Sequence, residues 1–218
     1  MIGTVIALES EAEILLEKME IFRSLVVSGK KIYVGSAFGK DIAVAVCGVG
    51  KVNAALGTQL LVSKFDADKI LNFGVAGGPN KNTELCGVYQ TKAAVQFDFD
   101  LVQLNGTQIG TLDEYTENYL RLSPFKAALK KKNLGTADRF NDSAEDYLLL
   151  TKELKADIRD MEGAAIVQAA HAAQLPVYAV KAISDVAGSG STTEQYLQNR
   201  GRALENLKSV LPELFDEL

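Results

Sequence analysis

The sequence is poor in residues on which several classes of protein depend. Its 218 residues include no tryptophan, one histidine, two cysteines and four prolines. A single histidine, His171, is too little for a histidine-based metal site or a Ser-His-Asp triad, so we expect neither metal nor triad chemistry. Cys47 and Cys86 stand in apolar stretches without metal-ligand spacing, which indicates two buried, reduced thiols.

Concentrated positive charge and long apolar runs are also missing. The net charge is −5, from 23 Lys and Arg against 28 Asp and Glu, and the longest basic block is residues 130–132. Binding to nucleic acid requires a basic face, so we expect no nucleic-acid partner. No apolar run approaches the roughly 20 residues of a membrane helix, and the apolar residues 2–8 lack the features of a signal peptide. We therefore expect a cytoplasmic protein with no membrane partner.

What the sequence does contain is an alternation of short β-branched runs with longer segments of helical period. Strands are predicted at residues 2–8, 32–37, 42–47, 69–73, 88–95 and 177–183. Helices are predicted at residues 10–19, 52–65, 124–132, 144–150, 161–173 and 193–214. This alternation predicts one α/β domain over residues 1–218, with a sheet flanked by helices. Residues 98–119 lack clear periodicity, and we interpret them as a functional loop.

Two glycine-rich turns follow predicted strands. One is Gly48-Val49-Gly50, and the other runs from Gly74 to Gly78. Glycines let the backbone approach a ligand closely, and ligands of open α/β sheets bind outside the carboxyl ends of the strands. A tight strand–helix junction would require the same glycines. The first turn lacks the full dinucleotide-binding spacing and the acidic residue that follows it, which argues against a Rossmann dehydrogenase.

Three carboxylates stand at predicted strand ends or helix starts. Glu11 follows the first strand, Glu162 begins an otherwise small and apolar helix, and Asp185 ends a wholly apolar strand. Each has a structural interpretation, as a cap or as a first-turn acid that the helix dipole favours. If these carboxylates converge at one edge of the sheet, one could act as an acid and another as a base. Phe140 is a strand-end aromatic in this interpretation, either part of the core or free to stack on a flat ligand.

Five segments in order carry a resemblance to a known family. They are ALESE at 7–11, GVGKVNAA at 48–55, NFGVAGG at 72–78, DMEGAA at 160–165 and AISDVA at 182–187. Over the whole chain the sequence resembles the 5′-methylthioadenosine/S-adenosylhomocysteine nucleosidases of the nucleoside phosphorylase superfamily. The resemblance implies a central mixed, twisted sheet that partly closes into a barrel and is flanked by helices. It also implies a homodimer that hydrolyses the N-glycosidic bond of 5′-substituted adenosines and releases adenine, without metal or organic cofactor.

The resemblance also implies a role for each matching residue. Asp185 would be the general acid that protonates adenine at N7, and Glu11 would orient and deprotonate the attacking water. Glu162 would bind the ribose hydroxyls with Met161 against the sugar, and Phe140 would stack on the base. The remaining substrate-binding positions would be Val49, Val75, Asp160 and Ser184. The chemistry suits these residue types, since adenine is a poor leaving group and carboxylates stabilise an oxocarbenium-like centre.

The sequence departs from the family pattern in three places. Where the family usually has an aromatic-His-Asp signature, residues 95–100 read VQFDFD. The segment 101–115 lacks the usual proline-containing loop, and Lys181 replaces an arginine. Reaction type is therefore better supported than the 5′ substituent. We expect the 98–119 segment, with apolar residues that include Phe97 and Leu104, to build part of the active site across a dimer interface.

Three alternatives remain. A purine nucleoside phosphorylase would need arginine and serine donors for phosphate at the glycine turns, but those turns carry no arginine, and Val75 stands where serine is expected. Hydrolysis is therefore favoured. Another nucleoside hydrolase, such as a futalosine hydrolase, would differ in the base or in the 5′ substituent. A nucleoside-binding domain without chemistry would have no need for an acid beside the base.

Overall fold

Strands and helices alternate along residues 1–80 and 82–218, the part of the chain that the computed structural model describes. The strands are β1 Ile2–Ile6, β2 Glu20–Val27, β3 Lys30–Ala37, β4 Lys40–Val46, β5 Lys69–Gly78, β6 Val88–Gln96, β7 Leu120–Arg121, β8 Lys131–Thr136, β9 Ile158–Asp160 and β10 Val177–Val186. The helices are α1 Glu9–Leu16, α2 Lys51–Phe65, α3 Val102–Asn105, α4 Ala144–Leu148, α5 Gly163–Ala172 and α6 Thr192–Asp216, and α4 continues as a π-helical segment, Leu149–Leu154.

The strands form one mixed sheet that partly closes on itself. Its order is β10-β6-β8-β9-β5-β1-β4-β3-β2, and β10 also pairs with β5, so that β5, β10, β6, β8 and β9 form a closed ring. β1 runs parallel to both β4 and β5, whereas β10 is parallel to β5 and antiparallel to β6. The predicted mixed sheet with a partly closed barrel and flanking helices is confirmed.

Helices cover both faces of the sheet, which explains why its central strands are apolar throughout. In β4, Ala43 and Ala45 pack into the cluster that α2 and α5 complete, while Ile42 and Val44 pack into the cluster of α1 and α6. A strand buried on both faces shows no polar alternation. The side chain of Ser191 caps α6 by accepting a hydrogen bond from the backbone N–H of Glu194.

The helix predicted at residues 124–132 is wrong. The chain is irregular up to residue 130, and β8 begins at Lys131. Distant groups take the hydrogen bonds that a helix would use: the Gln90 amide donates to the carbonyls of Ala127 and Leu129, and the Glu217 carboxylate accepts from the backbone N–H of Ala127. Tertiary partners outweigh local helix propensity here.

Two further differences concern an exposed strand and a buried aromatic side chain. β2 is almost wholly exposed and was not predicted, because it has no buried face to impose alternation. The 98–119 segment is irregular apart from the single turn α3, as expected, but Phe97 is only 3% exposed and packs inside this chain rather than awaiting a partner. Both cysteines are free and buried. None of the helices within residues 1–80 and 82–218 has the length and apolar character to cross a membrane.

Candidate active site

A cavity of about 380 Å³ opens at the carboxyl ends of β1, β5, β9 and β10. All nine residues that the sequence analysis names as catalytic or substrate-binding line it. The lining residues are Ala7, Leu8, Glu11, Val49, Val75, Ala76, Gly77, Phe140, Arg159, Asp160, Met161, Glu162, Ser184, Asp185, Thr193, Tyr196 and Leu197. Strand ends distant in sequence thus meet around one ligand-sized space, as expected for an α/β sheet.

Glu11 is a buried carboxylate held by backbone donors. It lies in the first turn of α1, where the backbone N–H of Val75 donates to Oε1 at 2.8 Å and that of Leu8 donates to Oε2 at 3.2 Å. Burial raises the pKa of Glu11, while these two hydrogen bonds and the charge of Lys181 oppose the rise. Gly74 allows this approach, since a Cβ there would lie 2.7 Å from Oε1. The result is an immobile acceptor at the edge of the cavity.

Glu162 and Asp160 form a second acidic group at the end of β9. The backbone N–H of Gly50, at the start of α2, donates to Glu162 Oε1 at 2.8 Å. Asp160 accepts hydrogen bonds from the hydroxyl of Thr136 and the backbone N–H of Gly163. Burial and the neighbouring Asp160 raise the pKa of Glu162 to about 7. The first glycine turn therefore positions a carboxylate of this chain instead of a phosphate.

Lys181 forms an ion pair with this acidic group. Its Nζ lies 2.9 Å from Asp160 Oδ2, with both side chains almost completely buried. Burial lowers the pKa of Lys181, but the surrounding carboxylates of Asp160, Glu162 and Glu11 outweigh it and raise the pKa. The lysine that replaces the family's usual arginine thus acts as a buried counter-ion.

Asp185, near the end of β10, also lines the cavity and is 1% exposed. The hydroxyl of Ser184 donates to its Oδ2 at 2.8 Å, whereas Oδ1 has no hydrogen-bond partner. The register of the pairing between β10 and β5 shifts between Ile183 and Asp185. Ser184 and Asp185, which are adjacent in sequence, both line the cavity. Burial raises the pKa of Asp185, although Ser184 and Arg159 oppose the rise. A carboxyl group whose neutral form is favoured in this way is suited to donate a proton.

Sequence reasoning missed Arg159 and Tyr196. Arg159 lies in β9 one position before Asp160, and its Nη2 is 3.8 Å from Asp185 Oδ1. Tyr196 of α6 packs edge-on against Phe140, with ring centroids 5.9 Å apart. Phe140 does not lie at a strand end, but in the loop beyond β8, and its side chain is 46% exposed. The only sequence signal available for Arg159 was its position directly before Asp160 in the matched DMEGAA segment.

Comparison with known proteins identifies the family. The model of the phosphorylase superfamily matches residues 1–216. A 5′-methylthioadenosine/S-adenosylhomocysteine nucleosidase of Marinomonas sp. (strain MWYL1) is 32% identical over 213 residues, which cover 90% of this chain and 91% of that protein. The chain belongs to this nucleosidase family. The family's members are hydrolases of the N-glycosidic bond, so the predictions of family and enzyme class are confirmed.

Solved structures agree with this assignment in fold. A 5′-methylthioadenosine/S-adenosylhomocysteine nucleosidase from Colwellia psychrerythraea 34H, in complex with adenine, matches with a TM-score of 0.90 at 25% identity, over 100% of this chain and 95% of that one. A futalosine hydrolase of Helicobacter pylori strain 26695 matches with a TM-score of 0.91 at 24% identity, over 100% and 97% of the two chains. Nucleosidases with different named substrates thus share this fold.

Proposed function

We propose that this protein hydrolyses the N-glycosidic bond of 5′-substituted purine nucleosides. The observation that carries the proposal is the placement of Asp185, Glu11 and Glu162 around one cavity, each buried and each held by different partners. Names of relatives such as the Marinomonas nucleosidase support 5′-methylthioadenosine and S-adenosylhomocysteine as the substrate class. The futalosine hydrolase among the structural neighbours supports a different nucleoside.

In the proposed reaction, Asp185 protonates the leaving base at N7. The bond between C1′ and N9 breaks, its electron pair goes to the purine, and the proton of Asp185 prevents a full negative charge on the base. General acid catalysis of this kind typically contributes 10²–10⁴-fold in rate. The partnerless Oδ1 of Asp185 is available for this transfer because Ser184 occupies Oδ2.

Glu11 then receives a proton from the attacking water as its oxygen bonds to C1′. Its two backbone hydrogen bonds fix the carboxylate, and its charge also stabilises the oxocarbenium-like sugar. Glu162 would accept hydrogen bonds from the ribose hydroxyls, with Met161 against the sugar and Phe140 over the base. Val49, Val75, Asp160 and Ser184 complete the substrate-binding positions of the proposal.

The charges around the sugar side favour water over phosphate as the attacking group. Arg159 is the one cation among the residues that line the cavity, and it lies beside Asp185 rather than near Glu11. Lys181 is paired with Asp160. A phosphate dianion near Glu11 and Glu162 would meet two carboxylates and no available guanidinium.

The decisive experiment follows base release from a panel of nucleosides by chromatography, with and without phosphate. The panel contains 5′-methylthioadenosine, S-adenosylhomocysteine, adenosine and their 6-oxopurine counterparts. We expect free base and free sugar from at least one member in phosphate-free buffer. Ribose 1-phosphate products that require phosphate would support the phosphorylase alternative, and no cleavage of any member would contradict the proposal.

A homodimer that shares the 98–119 segment remains part of the proposal. Val102 is 44% and Leu104 is 79% exposed, and both lie on the single turn of that segment. We expect light scattering to report a dimer at micromolar concentration, and Leu104→Asp to increase the monomer fraction. A fully active wild-type monomer at assay concentration would exclude a shared site.

A further inference from the structure

The guanidinium of Arg159 is buried beside the acid of the proposed reaction. Its Nη2 lies 3.8 Å from Oδ1 of Asp185, and the two side chains are 7% and 1% exposed. Within the described part of the chain, neither atom has a hydrogen-bond partner. The distance is too long for a hydrogen bond but within the range of an ion pair. Buried polar atoms are seldom left unpaired, so we expect Nη2 to gain an acceptor when the site works.

The rest of the Arg159 side chain is held firmly in place. Its Nη1 donates to the carbonyl oxygen of Asn141 at 2.7 Å, and its guanidinium lies 4.9 Å from the ring centroid of Tyr147. Gly77 makes room for the pair, since a Cβ there would lie 3.1 Å from Arg159 Nε and 2.7 Å from Asp185 Oδ1. The position of Nη2 beside Asp185 is therefore built into the site.

We infer that Arg159 is a positioning residue for Asp185, which fixes the carboxyl group in the cavity and stabilises the carboxylate that forms when the proton leaves. The inference rests on the proposed function, in which Asp185 protonates the base at N7. Before the transfer, Oδ1 carries the proton and needs no cation beside it. After the transfer, the electron pair of the O–H bond stays on Oδ1, and a buried carboxylate faces Nη2. Arg159 thus acts through Asp185.

A cation is useful here because burial alone makes Asp185 a reluctant donor. Burial raises the pKa of Asp185, and the charge of Arg159 opposes that rise. An acid in an apolar site keeps its proton, but the carboxylate that it leaves behind is costly. A guanidinium already in place lowers that cost without rearrangement. After the base departs, Asp185 takes a proton from solvent and Glu11 releases to solvent the proton that it took from water.

Two charged groups act on Asp185 in opposite directions. Arg159 of β9 lowers its pKa, and Asp142 of the loop after β8 raises it. Hydrogen bonds, first that from the Thr192 hydroxyl, lower the pKa of Asp142, which is therefore a carboxylate at neutral pH. In the described part of the chain, β5 contributes no ionisable side chain to the cavity. The other ionisable side chains that line it are Glu11, Asp160, Glu162 and, on α6, Tyr196.

The test compares the pH dependence of wild type and Arg159→Gln, with the nucleoside that wild type cleaves fastest in phosphate-free buffer. Activity should fall at high pH, where Asp185 loses its proton. Loss of the guanidinium disfavours the carboxylate, so this alkaline limit should move to higher pH by about one pH unit or more. The plateau value of kcat should fall by about tenfold, because the acid becomes weaker. Damage to the fold would lower the plateau without moving the limit.

A second measurement needs no turnover. Carbon NMR of isotope-labelled protein follows ionisation of the Asp185 carboxyl group, whose signal is identified by its loss in Asp185→Asn. Its midpoint should be higher in Arg159→Gln than in wild type. In wild type, nitrogen NMR of the Arg159 guanidinium should show a change with the same midpoint as Asp185, a result that requires no change at Arg159.

Three further variants complete the design. Arg159→Lys keeps the charge and should return the alkaline limit towards that of wild type. Asp142→Asn removes an exposed negative charge and should move the limit the other way, to lower pH. Arg121→Met removes a cation whose side chain is 77% exposed, outside the cavity, and should change nothing.

The outcomes separate this inference from the proposed function. An unchanged Asp185 midpoint in a folded Arg159→Gln protein, or wild-type guanidinium signals that ignore the ionisation of Asp185, would overturn the role of Arg159 and leave the proposed hydrolysis intact. Cleavage of no nucleoside by wild type would overturn the proposed function itself, while the NMR midpoints would still report whether the two side chains are coupled.

Discussion

The acidic groups at the two ends of the cavity differ in how completely their own chain pairs them. At the proposed sugar end, both oxygens of Glu11 accept backbone hydrogen bonds, and Asp160 is paired with Lys181. At the proposed base end, Asp185 keeps one oxygen without a hydrogen-bond partner beside Nη2 of Arg159, which has none either. The first end is preorganised to keep a carboxylate in place, and the second has hydrogen-bonding capacity that a ligand must complete.

We expect this difference in hydrogen-bond pairing to suit one carboxyl group to act as a base and the other to act as an acid. A fully paired carboxylate keeps its position and charge throughout a reaction, as a water base needs. A carboxyl group with one free oxygen, buried and with a raised pKa, is able to hold a proton and deliver it. In the proposed reaction, the same four strand ends supply a base and an acid, because each carboxyl group has its own hydrogen-bond partners.

The largest effect is expected from Asp185→Asn. An amide preserves the shape of the side chain and a contact with Ser184, but it has no proton to give to N7. We expect kcat to fall by about 10²–10⁴-fold, with circular dichroism unchanged. Ser184→Ala is the matched control, since it removes the hydrogen bond to Oδ2 and keeps the carboxyl group, and its loss should be much smaller. A folded Asp185→Asn protein with near-normal kcat would refute the acid role.

Glu11→Gln tests the paired end. Glutamine cannot accept the proton of water, and its amide nitrogen would face either the Val75 or the Leu8 N–H, where an oxygen is needed. We expect hydrolysis to fall by about 10²-fold or more, on the scale of general-base removal, with a smaller change in KM. Single-turnover kinetics would separate the chemical step from product release. Retained hydrolysis in this variant would mean that another residue deprotonates the attacking water.

The sequence predicted the sugar end of the site better than the base end. Glu11, Glu162 and Asp185 were found because acids at strand ends are unusual, and the motifs around them match the family over the whole chain. Arg159 was missed because its role depends on contacts with Asn141, Tyr147 and Asp185, which the chain brings together only in three dimensions. A sequence pattern identifies the type of residue at a position. The hydrogen-bond and ion-pair partners of that residue depend on how distant segments pack together.

The same reason explains the errors in the fold. Elements with a buried apolar face were predicted, since burial imposes a periodicity that the sequence records. The exposed strand β2 has no such face. The helix expected at residues 124–132 failed because Gln90 and Glu217, far away in sequence, bind its backbone. Contacts of this kind leave no local signature.

Two glycine variants would sharpen the comparison between the ends of the cavity. A Cβ at Gly74 would lie 2.7 Å from Glu11 Oε1, and one at Gly77 would lie 2.7 Å from Asp185 Oδ1. We expect Gly74→Ala and Gly77→Ala each to lower kcat/KM by about 10–10²-fold, because displaced catalytic groups lose alignment.

Gly201→Ala is the control for these glycine variants. Gly201 lies within α6 with open space around its Cβ position. Alanine there should leave activity unchanged and raise stability by up to about 1 kcal/mol through helix propensity. Equal losses of activity in all three variants would mean that the effects are global, and would remove the distinction between the two ends.

The smallest expected effect concerns the pH dependence of stability at the sugar end. The pKa of Glu162 is raised from 4.5 to about 7 in the folded protein. The folded state therefore holds a proton between these values that the unfolded state releases, so this group's contribution to the free energy of unfolding falls as pH rises from about 4.5 to 7. Glu162→Gln removes that contribution. Relative to wild type, the variant should gain stability over this range by an amount on the order of 1–3 kcal/mol. Urea unfolding of both proteins at several pH values from 5 to 8 would measure the difference directly, and curves that stay parallel would show that Glu162 is already ionised at low pH.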